Sequence, residues 1–144
     1  MTIPNWVSIG LAAAFLPAAF AAGLPMQLVG LHLAFGAGVL LACAGLFYLG
    51  VFGGGDAKVI AAASLWTGLA GVSSFVMGMA IAGGVLAVSL ILLRKMKLAP
   101  TKEWAKRLLS PQEGAPYAVA IAIGALIAAP ASPVLAAGLA GMGV

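Results

Sequence analysis

The chain has 144 residues, of which 64% are hydrophobic and 7% charged, and its mean hydropathy is +1.19. This composition is too apolar for a soluble domain with a polar surface, so the chain is predicted to lie in a lipid bilayer. The formal net charge of +4 does not indicate nucleic-acid binding, because six of the seven basic residues fall in one segment between apolar runs: Arg94, Lys95, Lys97, Lys102, Lys106 and Arg107.

The first two apolar runs each predict one membrane span, since about 20 apolar residues cross the hydrocarbon layer. They cover residues 3–23 and 28–52 and are separated by the turn Gly23-Leu24-Pro25. No Lys or Arg precedes Lys58, whereas a secretory signal peptide begins with positive charge. The first run is therefore interpreted as a mature span.

The next apolar run, residues 57–93, is too long for one ordinary crossing. The tetrapeptide Gly71-Val72-Ser73-Ser74 offers a turn near its middle. We therefore predict two helices in this run, of which the first is short.

The end of the chain predicts a loop and a last span. After the basic loop 94–115, Pro116 suits the first position of a helix, and Pro130 and Pro133 are expected to kink or end it. The sequence thus predicts an all-α polytopic membrane bundle of about five transmembrane helices in a single domain, residues 1–144. No internal repeat is visible.

Within the basic loop, residues 100–109 predict an amphipathic helix on the membrane surface. At 100° per residue the apolar and charged side chains fill separate arcs, the first made of Trp104, Ala105, Leu108 and Leu109 and the second of Lys102, Glu103, Lys106 and Arg107. Such a helix would bind lipid headgroups through its basic residues. The alternative is a solvated loop with a chance pattern.

The basic loop also predicts the orientation of the chain, because Arg and Lys concentrate in cytoplasmic loops. If residues 94–107 are cytoplasmic, counting crossings backwards puts residues 53–58 and residues 3–5 at the cytoplasmic face as well. The non-helical polar segments are therefore expected to share one side of the membrane.

The segment Gly53-Gly54-Gly55-Asp56-Ala57-Lys58 holds the first charged side chains of the chain, and two interpretations of Asp56 are open. In the structural one, the glycines end a helix, Asp56 caps the next helix and Lys58 anchors at the headgroups. In the functional one, the roughly 2.5–3.5 kcal/mol that an acidic residue costs within a span marks a functional site. Glycines without Cβ atoms would also let a peptide backbone approach the carboxylate.

Gly53-Gly54-Gly55-Asp56 resembles the Gly-x-Gly-Asp motif of intramembrane aspartyl proteases. The longer string from Phe52 to Lys58, with the Ala-rich residues 61–66 after it, resembles the short prepilin peptidases of Flp/Tad pilus systems, in the type IV leader peptidase family. Two further landmarks of that group are similar to Ile3-Pro4-Asn5-Trp6 and Pro116-Tyr117-Ala118-Val119-Ala120.

The resemblance implies an aspartic-type endopeptidase that removes prepilin leader peptides at the cytoplasmic face of the bacterial inner membrane. It implies a pair of aspartates that share a proton, with Asp56 as one of them. Gly53, Gly54, Gly55, Lys58 and Ile3-Pro4-Asn5 would support the site. No metal or other cofactor is implied, and S-adenosylmethionine is not assigned because the four-cysteine insertion of larger members is missing.

The chain departs from the family pattern at its start. In the family the first catalytic Asp stands a few residues before the Ile-Pro-Asn landmark, whereas this chain begins at Met1-Thr2-Ile3. We expect either that the true start codon lies upstream, which we favour, or that the chain is a truncated relative. As written, residues 1–144 are expected to be close to inactive, and Glu103 and Glu113 in the basic loop are assigned no catalytic role.

A second class of function stays open. A non-catalytic small polytopic membrane protein, such as an assembly scaffold or a pore subunit, would also explain the apolarity and the basic loop. It does not explain a Gly-x-Gly-Asp motif at a helix end. The sequence predicts no oligomeric state, and His32 is expected to be a packing or interfacial residue.

Overall fold

The computed structural model describes residues 4–51, 53–95 and 117–141. The regular elements in these ranges are all helical, which confirms the predicted all-α class. They are α1 (Asn5–Ala21), α2 (Met26–Tyr48), α3 (Gly54–Lys95), α4 (Tyr117–Ala128) and α5 (Pro133–Gly141), with a 3-10 turn at Ala129–Ala131. The predicted surface helix at residues 100–109, with Lys102, Trp104, Lys106 and Leu108, lies outside the described residues.

Proline begins the first two helices and glycine ends them. Pro4 and Pro25 stand at the N-caps of α1 and α2 with extended backbone. Gly23 and Gly50 have φ of 68° and 74°, a left-handed conformation that favours glycine and ends a helix. The turn at residues 23–25 is confirmed, but the second helix ends four residues before the predicted Phe52, because the chain already turns at Gly50.

The long helix α3 consists of two helices joined at Gly68, whose φ of 58° and ψ of −167° are non-helical. The first half covers residues 54–67 and the second half residues 69–95, so the prediction of two helices with a short first one is confirmed. The predicted turn at residues 71–74 is wrong, since these residues are helical. Gly71 instead lies at a packed position, where a Cβ would be 3.1 Å from Cβ of Thr67 and 3.5 Å from the carbonyl oxygen of Ala128.

Helix α3 is the centre of the bundle and packs most extensively against α4, then α2 and then α1. Its contact with α4 is close because both helices have glycines at the interface. A Cβ on Gly124 would lie 2.7 Å from the carbonyl oxygen of Phe75 and 2.8 Å from the backbone nitrogen of Met79. Small residues permit this approach of two backbones, which is typical of helix packing in membranes.

The helix ends close to Pro130, as predicted, whereas Pro133 begins a new helix instead of ending one. Helix α4 ends at Ala128, Pro130 lies in the 3-10 turn, and Pro133 is the first residue of α5. Proline lacks the N–H that a continuing helix would need, so the chain ends one helix and begins another here.

Two of the helices, Met26–Tyr48 and Gly54–Lys95, are long and apolar enough to cross a membrane. Large apolar side chains are exposed on the outside of the bundle, among them Trp6, Leu41, Leu69 and Leu126. Exposed apolar surface on this scale suits contact with lipid rather than with water.

Candidate active site

Asp56 lies in the first turn of α3, two residues after the helix begins at Gly54. Its neighbours Ala57 and Ile60 are buried in the same apolar cluster as Cys43 of α2, which fixes the rotation of this turn. Asp56 itself is only half-buried. The N-terminal end of a helix favours a carboxylate, because unpaired backbone N–H groups leave a partial positive charge there.

Two of the glycines before Asp56 make room for identifiable groups. A Cβ on Gly53 would lie 3.3 Å from Oδ2 of Asp56, so the carboxylate folds back over this residue. A Cβ on Gly54 would lie 3.2 Å from the ring of Phe47. Gly53 therefore keeps space beside the carboxylate, and Gly54 lets α2 and α3 meet closely next to the site.

The structural interpretation of Asp56 predicted a helix cap, and the geometry differs from that expectation. Asp56 is inside the helix, and among the described residues no group donates a hydrogen bond to its carboxylate. A carboxylate oxygen can accept hydrogen bonds from a water molecule or from a peptide N–H.

Asp56 is the one acidic side chain in the described part of the chain, so the structure does not bring a second carboxylate to it. Glu103 and Glu113 lie outside the described residues. Within the described ranges there is also no group of His, Cys, Asp and Glu that could hold a metal ion.

Two of the predicted landmarks meet in the structure. Nζ of Lys58 donates a hydrogen bond of 3.0 Å to Oδ1 of Asn5. Asn5 is the first residue of α1, after the N-cap Pro4. This hydrogen bond joins the N-terminal ends of α1 and α3.

The third landmark lies elsewhere in the described structure. Tyr117, from the third landmark, lies near Gly83 in the second half of α3, where a Cβ would be 3.5 Å from its hydroxyl. Ile3 and Phe52 are outside the described residues, as are Lys102, Trp104, Lys106 and Leu108 of the predicted surface helix.

A buried polar network at the break in α3 was not predicted from the sequence. The non-helical Gly68 leaves carbonyl groups in the last turn of the first half without helical partners. Three side chains donate to them: Nδ1 of His32 to Leu65 O at 2.6 Å, Oγ1 of Thr67 to Ser64 O at 3.4 Å, and Oγ of Ser132 to Trp66 O. Helix α2, through His32, and the residue before α5, Ser132, therefore help to cap the first half of α3.

Aromatic rings surround this network and connect it to α1. The His32 ring stacks on Phe15, with centroids 5.5 Å apart, and Trp66 meets Phe15 edge-on at 6.0 Å. Nε1 of Trp66 donates a 3.0 Å hydrogen bond to the carbonyl of Leu11. The expectation that His32 packs within the bundle is confirmed, since it is 4% exposed; its bond to the broken helix was missed.

Comparison with known proteins identifies a family. The type IV leader peptidase family matches residues 1–88, more than half of the chain. The match includes α1, α2, Asp56 and the break at Gly68. No curated protein and no solved structure matches the chain.

Proposed function

The chain belongs to the type IV leader peptidase family, a family of proteases that are in general of the aspartic type, and from that premise we propose that it cleaves the leader peptides of Flp-type prepilins. We further propose that Asp56 is one of the catalytic carboxylates. The observation that carries this proposal is the position of Asp56, half-buried in the first turn of α3. The Asn5–Lys58 hydrogen bond also supports it, because it joins two family landmarks at the N-terminal ends of α1 and α3.

The proposed chemistry needs two carboxyl groups that share one proton. One carboxylate takes a proton from water as the water attacks the scissile carbonyl, and the other carboxyl donates to the developing oxyanion. The pKa values of such groups belong to the pair. In this proposal Asp56 supplies one of the two carboxyl groups.

We propose that the protein spans the bacterial inner membrane about five times, with Asp56 at the cytoplasmic face. The concentration of Arg and Lys in residues 94–107 supports this orientation. The break at Gly68 supports the count, because it divides α3, whose 42 residues exceed one crossing, into two helices.

The decisive experiment compares wild type with Asp56→Asn. Each protein is reconstituted with a Flp-type prepilin in vesicles of phosphatidylethanolamine and phosphatidylglycerol, and processed pilin is measured by mass. Both are prepared as residues 1–144 and with any in-frame upstream codons. Removing a catalytic carboxylate typically lowers the rate by about 10²–10⁴-fold.

The substitution separates the two interpretations of Asp56, since Asn keeps the size of the side chain and an acceptor oxygen but removes the ionisable carboxyl group. We expect Asp56→Asn to insert and fold normally and to lose processing. Processing that survives would remove Asp56 from the mechanism. If neither form of the wild-type protein processes prepilin, the non-catalytic alternative, an assembly scaffold or pore subunit, would be favoured.

A further inference from the structure

A groove of about 400 Å³ is lined by α1, α2 and the first half of α3. Its buried lining includes small residues, Ala61 and Ala62 of α3 and Gly36 of α2. Ile9 of α1 and Leu40 of α2 also line it and are 65% and 45% exposed. The groove therefore lies on the outer surface of the bundle, within reach of the surrounding bilayer.

The groove is polar at one end and apolar along the rest of its length. Its polar side chains are Asn5, Ser8 and Lys58, which all belong to the N-terminal ends of α1 and α3. The apolar lining continues as far as Leu65, and residues 58 to 65 of a helix span about 10 Å at 1.5 Å per residue. This shape suits an amphiphile with one polar end.

The polar end carries positive charge. Nζ of Lys58 donates one hydrogen bond to Asn5, and an ammonium group has three donors. Asp56 does not line the groove, and side chains two residues apart on a helix point about 200° away from each other. The N-terminal ends of α1 and α3 add partial positive charge. The end of the groove therefore suits an anion.

Aromatic side chains place this end of the groove at the level of the lipid headgroups. Trp6 follows Asn5 in α1 and is 73% exposed, and Tyr48 at the end of α2 is 91% exposed. The end of α2 lies near the start of α3, because a Cβ on Gly54 would be 3.2 Å from the ring of Phe47. Trp and Tyr concentrate at membrane–water interfaces, so the apolar part of the groove lies at the depth of the acyl chains.

We propose that this groove binds one anionic phospholipid of the bilayer, with the phosphate on Lys58 and Asn5 and an acyl chain along Ala61 and Ala62. The ligand class is a glycerophospholipid with a net negative headgroup, such as phosphatidylglycerol. Phosphatidylethanolamine carries an ammonium group that Lys58 would repel. This site goes beyond the proposed function and does not depend on it.

The apolar part of the groove favours a lipid over a peptide. A peptide backbone has donors and acceptors along its whole length that need partners away from water. Beyond the polar end, the lining side chains offer none: they are Ile9, Ala12, Ala37, Leu40, Ala61, Ala62 and Leu65. An acyl chain needs no such partners, so it fits this lining without an energetic penalty for unpaired polar groups.

Native mass spectrometry tests the lipid and its stoichiometry. The protein in mild detergent is titrated with phosphatidylglycerol or with phosphatidylethanolamine of identical acyl chains. We expect one phosphatidylglycerol to bind with a Kd about fivefold or more below that of phosphatidylethanolamine, the scale of one lysine near an anionic headgroup. Excess inorganic phosphate should not displace it, because phosphate lacks the acyl chain.

Two pairs of variants locate the lipid in the groove. Lys58→Met should raise the Kd for phosphatidylglycerol about fivefold. Lys95→Met is its control, because Lys95 is exposed at the opposite end of α3 and does not line the groove. Ala37→Phe fills the apolar part and should raise the Kd about tenfold or more by excluding methylene groups of the chain. Ala42→Phe is its control, since Ala42 is exposed on the same helix outside the groove.

Several results would overturn the lipid site. Equal affinity for the two lipids, or equal effects of Lys58→Met and Lys95→Met, would mean that Lys58 does not recognise the headgroup. An unchanged Kd in Ala37→Phe would place the lipid outside the groove. A dimer without bound lipid would assign the groove to a second copy of the chain, and a Flp-type leader peptide whose binding is lost in Ala37→Phe would assign it to a peptide. None of these measurements uses prepilin processing, so the lipid site and the protease can fail separately.

Discussion

The imidazole ring of His32 lies against the backbone of Gly68, where α3 is broken. A Cβ on Gly68 would be 2.4 Å from Cε1 of the ring. The same ring donates through Nδ1 to the carbonyl of Leu65. His32 therefore occupies the space that a side chain at residue 68 would need, and it also satisfies a carbonyl near the break.

The first prediction is that Gly68→Ala destabilises the fold. A φ of 58° with a ψ of −167° belongs to a region that is essentially restricted to glycine, and the added methyl group would collide with His32. We expect a loss of about 2–5 kcal/mol in the free energy of unfolding. Circular dichroism during unfolding by sodium dodecyl sulfate measures this loss.

Gly84→Ala is the control for this prediction. Gly84 lies in the same helix, and a Cβ there would meet no atom within 4 Å. Alanine favours a helix more than glycine does, so this variant should be as stable as wild type or slightly more stable. Equal stability of the two variants would mean that the break at Gly68 is not required.

The second prediction concerns the side chains that cap the break. Ser132 is fully buried and donates to the carbonyl of Trp66. Ser132→Ala should therefore cost about 1–2 kcal/mol, because a buried carbonyl loses its partner. His32→Phe, which keeps a ring beside Phe15 but removes the donor, should cost a similar amount.

A double-mutant cycle shows whether these two residues stabilise one structure. His32 and Ser132 donate to the neighbouring carbonyls of Leu65 and Trp66, so we expect their effects on stability to be non-additive. Additive losses in the unfolding titration would mean that they act independently and would contradict a shared cap.

The position of the break shows where sequence reasoning reached its limit. The length of the apolar run predicts two helices, since no single crossing needs so many residues. Gly68 and Gly71 are both plausible turn residues in the sequence. Their roles differ because His32 packs on the first and Ala128 lies near the second, and these are tertiary contacts that a local pattern does not contain.

The sequence predicted one part of the candidate site and missed the polar network near it. Counting crossings placed Asn5 and Lys58 on one face, and the hydrogen bond between them agrees with that expectation. The bond of His32 to Leu65 could not be predicted, because the carbonyl needs a partner only once the helix is broken. The surface helix at residues 100–109 stays a prediction.

The third prediction addresses the contact between α3 and α4. In Gly124→Ala the new methyl group would meet backbone atoms of Phe75 and Met79, which cannot rotate away as a side chain could. The helices must separate, and we expect a loss of about 1–3 kcal/mol. Gly138→Ala in α5 is the control, since a Cβ there meets nothing within 4 Å; an equal loss in both variants would contradict this explanation.

The fourth prediction is topological. A reporter fused after Lys97 should be active in the cytoplasm, and one fused at Leu24, in the turn between α1 and α2, should be active in the periplasm. This orientation is expected because Arg and Lys are concentrated in residues 94–107. A periplasmic signal from the Lys97 fusion would reverse the orientation and move Asp56 to the other face.

The last prediction separates binding from stability at Lys58. Because Lys58 is exposed and its hydrogen bond to Asn5 is also exposed, Lys58→Met should leave the melting temperature nearly unchanged. If Asn5 and Lys58 help to bind the substrate at the candidate site, as the family landmarks imply, the same variant should raise KM for prepilin more than it lowers kcat. Lys95→Met, at the opposite end of α3, should change neither.

Asn5→Ala combined with Lys58→Met should raise KM by less than the product of the two single effects, because the residues act through one contact. Fully multiplicative effects would mean that Asn5 and Lys58 act separately on the substrate.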